Sequence, residues 1–192
     1  MNQSLFKRPF FWYGVYYGIA SILMFTIIYA VNFEFFGRFL WLLLVSVSIM
    51  ATLMIMGGNA EKKYQGGYRK YSQALLDMFL IGVIGSTINL LFNIAFVNLV
   101  DTSFYTNLAE VMKESTMKFM QSFGEIPEEQ LEKTMEQMDK QFAEANTPAA
   151  YIRTLFFNNT PLVLIIALIC AIFVKKNPPE NLADATILDT EN

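Results

Sequence analysis

Four stretches of this chain, residues 11–33, 39–60, 78–100 and 154–174, contain no Asp, Glu, Lys or Arg. Each is about 20 residues or longer, and at ~1.5 Å of rise per residue a helix of that length crosses a ~30 Å hydrocarbon core. A water-facing helix this long would need a polar stripe recurring every ~3.6 residues, and none of the four has one wide enough. Four such windows together argue against buried helices in a soluble fold. The expected class is an all-α membrane protein. Four transmembrane helices are expected, with an extracytoplasmic amphipathic helical hairpin between the third and fourth.

The first window follows Lys7 and Arg8, as a secretory signal would. It exceeds the ~7–15 residues of a signal's apolar core, and no Ala-x-Ala site follows, so it reads as a retained helix.

Lys and Arg are concentrated on the cytoplasmic side of membrane proteins. Lys7 and Arg8, then Lys62, Lys63, Arg69 and Lys70, then Lys175 and Lys176 fall on one side of four crossings; Arg38 and Arg153 fall on the other, where Lys113, Lys118, Lys133 and Lys140 lie inside a long loop and weigh little. This bias of eight to two predicts both termini in the cytoplasm of a bacterial inner-membrane protein. The chain then divides into a cytoplasmic N-terminus (1–10), helices one to three (11–100) with a basic connection at 61–77, an extracytoplasmic segment (101–153), helix four (154–174) and a disordered cytoplasmic tail (175–192).

The inventory of reactive groups is thin. The chain has no His and one Cys, Cys170 in the fourth window. Histidine-based triads, metal sites and proton relays are excluded, as are disulfides. No enzymatic activity and no cofactor are expected.

Two small-residue patterns stand out. Gly14 and Gly18 form a G-x-x-x-G pair that lets helix backbones approach closely, against a neighbour in the same chain or, alternatively, in a homo-oligomer. Gly82, Ser86, Asn89 and Asn93 form one stripe on helix three. Amides facing lipid would go unsatisfied, so the stripe should face protein as interhelical glue. The alternative is a polar path for a solute, although no ionisable residue accompanies the stripe, as one usually does in transport.

In the basic connection, Tyr64, Tyr68, Tyr71 and Leu75 share one helical face among the cationic residues, which Gly66-Gly67 interrupts as a turn. Aromatics among basic residues also occur at nucleic-acid surfaces. Beside two membrane helices they read instead as a stretch lying on anionic headgroups, and no nucleic-acid partner is expected.

The 101–153 segment reads as two amphipathic helices broken at Gly124 to Pro127 and ended by Thr147-Pro148. Leu108, Val111, Met112, Ser115, Phe119 and Phe123 mark the first apolar face; Leu131, Met135, Met138 and Phe142 mark the second. Glu114–Lys118, Glu129–Lys133 and Glu136–Lys140 are i, i+4 pairs in the favourable order. Glu125, Glu128, Glu129 and Glu132 have no Asx-Gly loop to make them a calcium site. Met112, Met117, Met120, Met135 and Met138, several of them core fillers, have no His or Cys beside them for Cu(I). Asn158-Asn159-Thr160 matches a glycosylation sequon but abuts helix four, where Pro161 suits a first turn.

Gly66-Gly67-Tyr68 with Ala74 leading into helix three, and the closing run from Ile165 through Ala167, Cys170 and Phe173 to Lys175-Lys176, carry a resemblance. Over residues 9–176 the chain resembles domain-of-unknown-function family 4199, small multi-pass proteins of bacteria with two membranes. The resemblance implies an inner-membrane location and no activity. The functional expectation is a non-enzymatic scaffold in the lipid bilayer, contacting a protein partner through 101–153. A small transporter or channel using the helix-three stripe is the alternative.

Overall fold

The computed structural model describes residues 5–122 and 127–177, with the backbone alone at Glu128. The helix break at Gly124, the expectations for Phe123, Glu125 and the Glu128 side chain, and the tail from residue 178 lie outside the described residues. Seven α-helices follow in order: α1 (Pro9–Val31), α2 (Phe39–Tyr64), α3 (Tyr71–Leu99), α4 (Phe104–Gln121), α5 (Glu128–Ala143), α6 (Pro148–Arg153) and α7 (Thr160–Val174). A π-helical turn, Thr154–Asn159, joins α6 to α7, so Pro148–Val174 is one helical rod of 27 residues. Together with α1 (23 residues), α2 (26) and α3 (29), it makes four helices long and apolar enough to cross a membrane. The chain is a multi-pass, all-α membrane protein.

Where the helices end differs from where the charge-free windows end. α2 runs on through Glu61, Lys62 and Lys63, and α3 starts at Tyr71 and takes in Asp77, which leaves a connection of only residues 65–70. Gln65 ends α2 in a Schellman motif: the Gly67 amide donates to the Lys62 carbonyl at 2.8 Å and the Gly66 amide to that of Lys63 at 3.3 Å. Both glycines have φ of +90°, a conformation that side chains with a Cβ rarely adopt. The break ends the common face expected for Tyr64, Tyr68, Tyr71 and Leu75. Tyr68 and Tyr71 instead lie under the ammonium groups of Lys176 and Lys175, at 5.3 and 5.9 Å.

The fourth rod begins six residues before its charge-free window. Thr147 caps it, its hydroxyl accepting from the Ala150 amide, and Pro148 occupies the first turn, where no amide is needed. Pro161 occupies the first turn of α7, as expected, although the π turn continues the rod on its N-terminal side. An interior proline lacks an amide and its ring crowds the carbonyl one turn back. The π turn re-registers the rod just before it, with the Thr160 amide and hydroxyl both donating to the Leu155 carbonyl.

α1 packs most extensively on α3, and α7 fits against α2 and α3. Met54, Met78, Ile81, Ala167 and Val174 are fully enclosed at the centre of one half of the bundle. The other half is aromatic: Phe25, Tyr29, Phe33, Phe36, Phe92, Phe96 and Phe104 form one ring cluster. Phe104 of α4 lies edge-on to Phe96 at 5.8 Å and to Phe33 at 5.7 Å. Phe104 thereby fixes the start of α4 to this end. α4 then lies over the Phe33–Gly37 turn, where a Cβ on Gly37 would collide with Ser115. α5 lies against α4, tied by an ion pair from Lys113 to Asp139. The three i, i+4 pairs form as expected, at 2.6 to 2.7 Å. Phe119, expected in the apolar face, is 42% exposed with its ring 6.1 Å from Phe39.

Candidate functional site

The bundle has two polar regions, one at each end. The first collects the charges at the basic end. Glu61 and Asp77, 0% and 1% exposed, are the buried carboxylates. Glu61 Oε1 accepts from Arg8 Nε at 2.9 Å, Arg8 Nη2 at 2.6 Å and Gln65 Nε2 at 3.0 Å. Its Oε2 accepts from the Phe10 amide at 3.4 Å, so a side chain of α2 satisfies a first-turn amide of α1 and places negative charge at that helix's positive end. Asp77 takes a bidentate fork from Arg69, both bonds 2.7 Å, and a longer one from Arg8 at 3.5 Å. Two acids and two arginines thus join α1, α2, the connection and α3.

α7 closes the same end. Arg69 and Lys176 exchange backbone bonds of 2.7 and 2.8 Å in a two-residue antiparallel bridge. Lys62 Nζ donates to the Val174 carbonyl at 3.0 Å, which suits a cation at a helix C-terminus. The Tyr71 hydroxyl reaches the Leu168 carbonyl at 3.1 Å. Beneath lie the enclosed side chains of Met54, Met78 and Ile81.

The second region holds the helix-three stripe. Gly82 lets α3 approach α7 and α2: a Cβ there would overlap Val163 and come within 2.6 Å of Met54 Cε. Gly14 and Gly18 of α1 likewise meet Ile84 and Ile88 of α3, at 2.8 and 2.7 Å from where a Cβ would be. Asn93 Nδ2 donates to the Asn89 carbonyl at 2.9 Å and to Asn89 Oδ1 at 3.0 Å, bonds within α3 and not between helices. Both residues also line cavities.

Two of these are polar. One, of about 330 Å³, lies among α1, α2, α3 and α7 and is lined by Tyr17, Ser21, Ser46, Ser86, Asn89 and Asn93, with Asn159 at its edge. The other, of about 480 Å³, lies between the bundle and the α4–α5 layer, where Asn89, Asn93, Asn159 and Arg153 face Tyr105 and Gln141. A third, of about 250 Å³, is a groove between α3 and the π turn, apolar except at Ser86, Asn159 and Thr160, and lined by Phe79, Val83, Leu155 and Phe156. Asn159, on the π turn, borders all three. The Tyr105 phenol is pushed above its ordinary value of 10.0, first by desolvation and then by nearby Tyr151, so at neutral pH it is a hydrogen-bond donor.

This chamber can hold and orient a polar group, but no nucleophile paired with a base lines it. Among the described residues no three His, Cys, Asp or Glu side chains converge as a metal set. Cys170 is buried, 3.9 Å from the Ala51 carbonyl. The sequence reading missed the ionic cluster and Asn159, and it did not place Arg153 in a cavity with Asn89 and Asn93 of the stripe.

A family model described as "Protein of unknown function (DUF4199)" matches residues 12–176. No curated protein and no solved structure matches the chain.

Proposed function

This chain belongs to the DUF4199 family, and from that premise we propose that it is a non-enzymatic inner-membrane scaffold that contacts a protein partner through α4 and α5. The observation that carries this reading is the placement of α5. Among its described side chains none is fully buried, Leu131, Met135, Met138 and Phe142 turn partly inward, and Glu129, Glu132, Lys133, Glu136 and Lys140 are exposed. A charged face borne on a layer fixed to the bundle by Phe104 and Gly37 gives a partner a rigid, polar surface to read. The eight-to-two distribution of Lys and Arg supports cytoplasmic termini, with α4 and α5 on the opposite side.

Site-specific photo-crosslinking from Glu132 and Glu136 in native membranes tests the reading. One reproducible adduct is expected, lost when both flanking charges are reversed (Lys133→Glu and Lys140→Glu). Crosslinks scattered over many proteins, or an adduct indifferent to those reversals, sink it.

The amide-lined chamber favours a second reading, a small transporter or channel. Against it, the basic end carries the buried ionic cluster above fully enclosed apolar side chains of Met54, Met78 and Ile81. Solute flux through reconstituted protein, lost on Asn93→Leu with stability retained, would establish it.

A further inference from the structure

The three cavities share Asn159 in their linings and differ in chemistry. The groove is apolar and lies between two membrane-crossing helices. The chamber beside it carries donors: the Arg153 guanidinium, the side-chain amides of Asn89, Asn158 and Asn159, and the protonated Tyr105 hydroxyl. None of the three cavities is lined by an acidic residue. Arg153 makes no ion pair among the described residues, whereas Arg8 and Arg69 are each spent on carboxylates. A cation without a counter-ion, beside amide donors in a chamber that shares Asn159 with a greasy groove, matches a molecule with an anionic head and a hydrocarbon chain.

We propose that these cavities form a binding site for a single anionic amphiphile, a fatty-acid carboxylate or a lipid phosphate. Arg153 and Asn159 hold the head, and the chain lies along Phe79, Val83, Leu155 and Phe156. The π turn makes the arrangement: it swings Asn159 to the junction of the groove and the chamber, and turns of this kind recur at functional sites. The site does not depend on any protein partner.

The test is binding of radiolabelled oleate, below its critical micelle concentration, to purified full-length protein immobilised in a non-ionic detergent. Saturable binding is expected, competed by unlabelled oleate and not by oleyl alcohol or inorganic phosphate. Loss of one charge-assisted contact weakens binding about tenfold, which is the expectation for Arg153→Gln, with Arg153→Lys retaining most of the affinity. Thermal unfolding without ligand should be unchanged in both variants, since Arg153 is exposed and unpaired among the described residues; Asn159→Leu gives a second, uncharged variant expected to bind more weakly. Equal competition by oleyl alcohol overturns head recognition. Full competition by inorganic phosphate alone overturns the amphiphile in favour of a free anion. Unaltered binding in both Arg153→Gln and Asn159→Leu overturns the location.

Discussion

Replacing Asp77 by Leu should be among the most damaging single changes in this protein. The carboxylate is 1% exposed and accepts two 2.7 Å bonds from Arg69, whose side chain is itself only 11% exposed. Removing it leaves a guanidinium held in a poorly solvated place with its main counter-charge gone, and Arg8 loses its second acceptor. Breaking a buried pair from one side costs about 3–5 kcal/mol, because the orphaned charge keeps its desolvation penalty. At ~1.4 kcal/mol per factor of ten, the midpoint of that range is roughly a thousandfold in the unfolding equilibrium. Glu136→Gln provides the contrast: its pair is 72% and 63% exposed, and such a pair contributes under ~1 kcal/mol. Both can be read by reversible unfolding in lipid bicelles. The double variant Arg69→Leu with Asp77→Leu should recover a large part of the loss, because it removes the orphan as well. An Asp77→Leu cost below ~1 kcal/mol, or a double variant as damaged as the two singles added together, would refute the reasoning.

Gly82→Ala should destabilise by about 1–3 kcal/mol, as overpacking does, because the new methyl overlaps Val163 and crowds Met54; a second-site Val163→Ala should relieve it in the same unfolding assay. Asn93→Leu should cost less than the ~0.6 kcal/mol average of a side-chain bond across helices, since its amide bonds are local to α3, and a loss approaching ~2 kcal/mol would show a bonding role across helices. Tyr105 has a folded-state pKa above the unfolded one, so its contribution to stability is complete below the unfolded value and lost as pH rises through the folded value. Tyr105→Phe should therefore remove part of the fall in stability above pH 10.0, and an unchanged alkaline limb would exclude the phenol as its source.

The four spans were legible because lipid forbids unpaired charge, so the windows stand out without reference to any partner. The Glu–Lys pairs of α4 and α5 were legible for a related reason, since they are local and follow the helical repeat. The ionic cluster was not, because its members are 53 and 69 residues apart from Arg8 and each acid lies one residue outside a charge-free window. Marking spans by absence of charge cut Glu61 and Asp77 off as loop residues. One signal was present: they are the only acids between residues 35 and 100, and both stand at the end where positive charge gathers. Asn159 was passed over for a different reason. It fell inside the fourth window, 154–174, and was weighed only as part of a glycosylation sequon, whereas the π turn sets it against three cavities. A proline 13 residues after Pro148 in one apolar helical pattern is itself a sign that the hydrogen-bond register shifts there.

The position of the ionic cluster in the chain also sets an order of assembly. All four charged partners, Arg8, Glu61, Arg69 and Asp77, are synthesised before most of α3 has left the ribosome. Each acid therefore enters the bilayer edge with its arginine already made, and the first three helices can lock into an ionically closed unit on their own. The contacts of α7 at that end are of another kind: the Arg69–Lys176 bridge and the Lys62 bond to Val174 use backbone groups available only once the last span is inserted. The fourth helix can thus act as a late latch, and a chain stopped at residue 153 would retain every arginine–carboxylate contact of the basic end while lacking the lysine contacts, the backbone bridge and the core side chains that α7 and the residues after it supply.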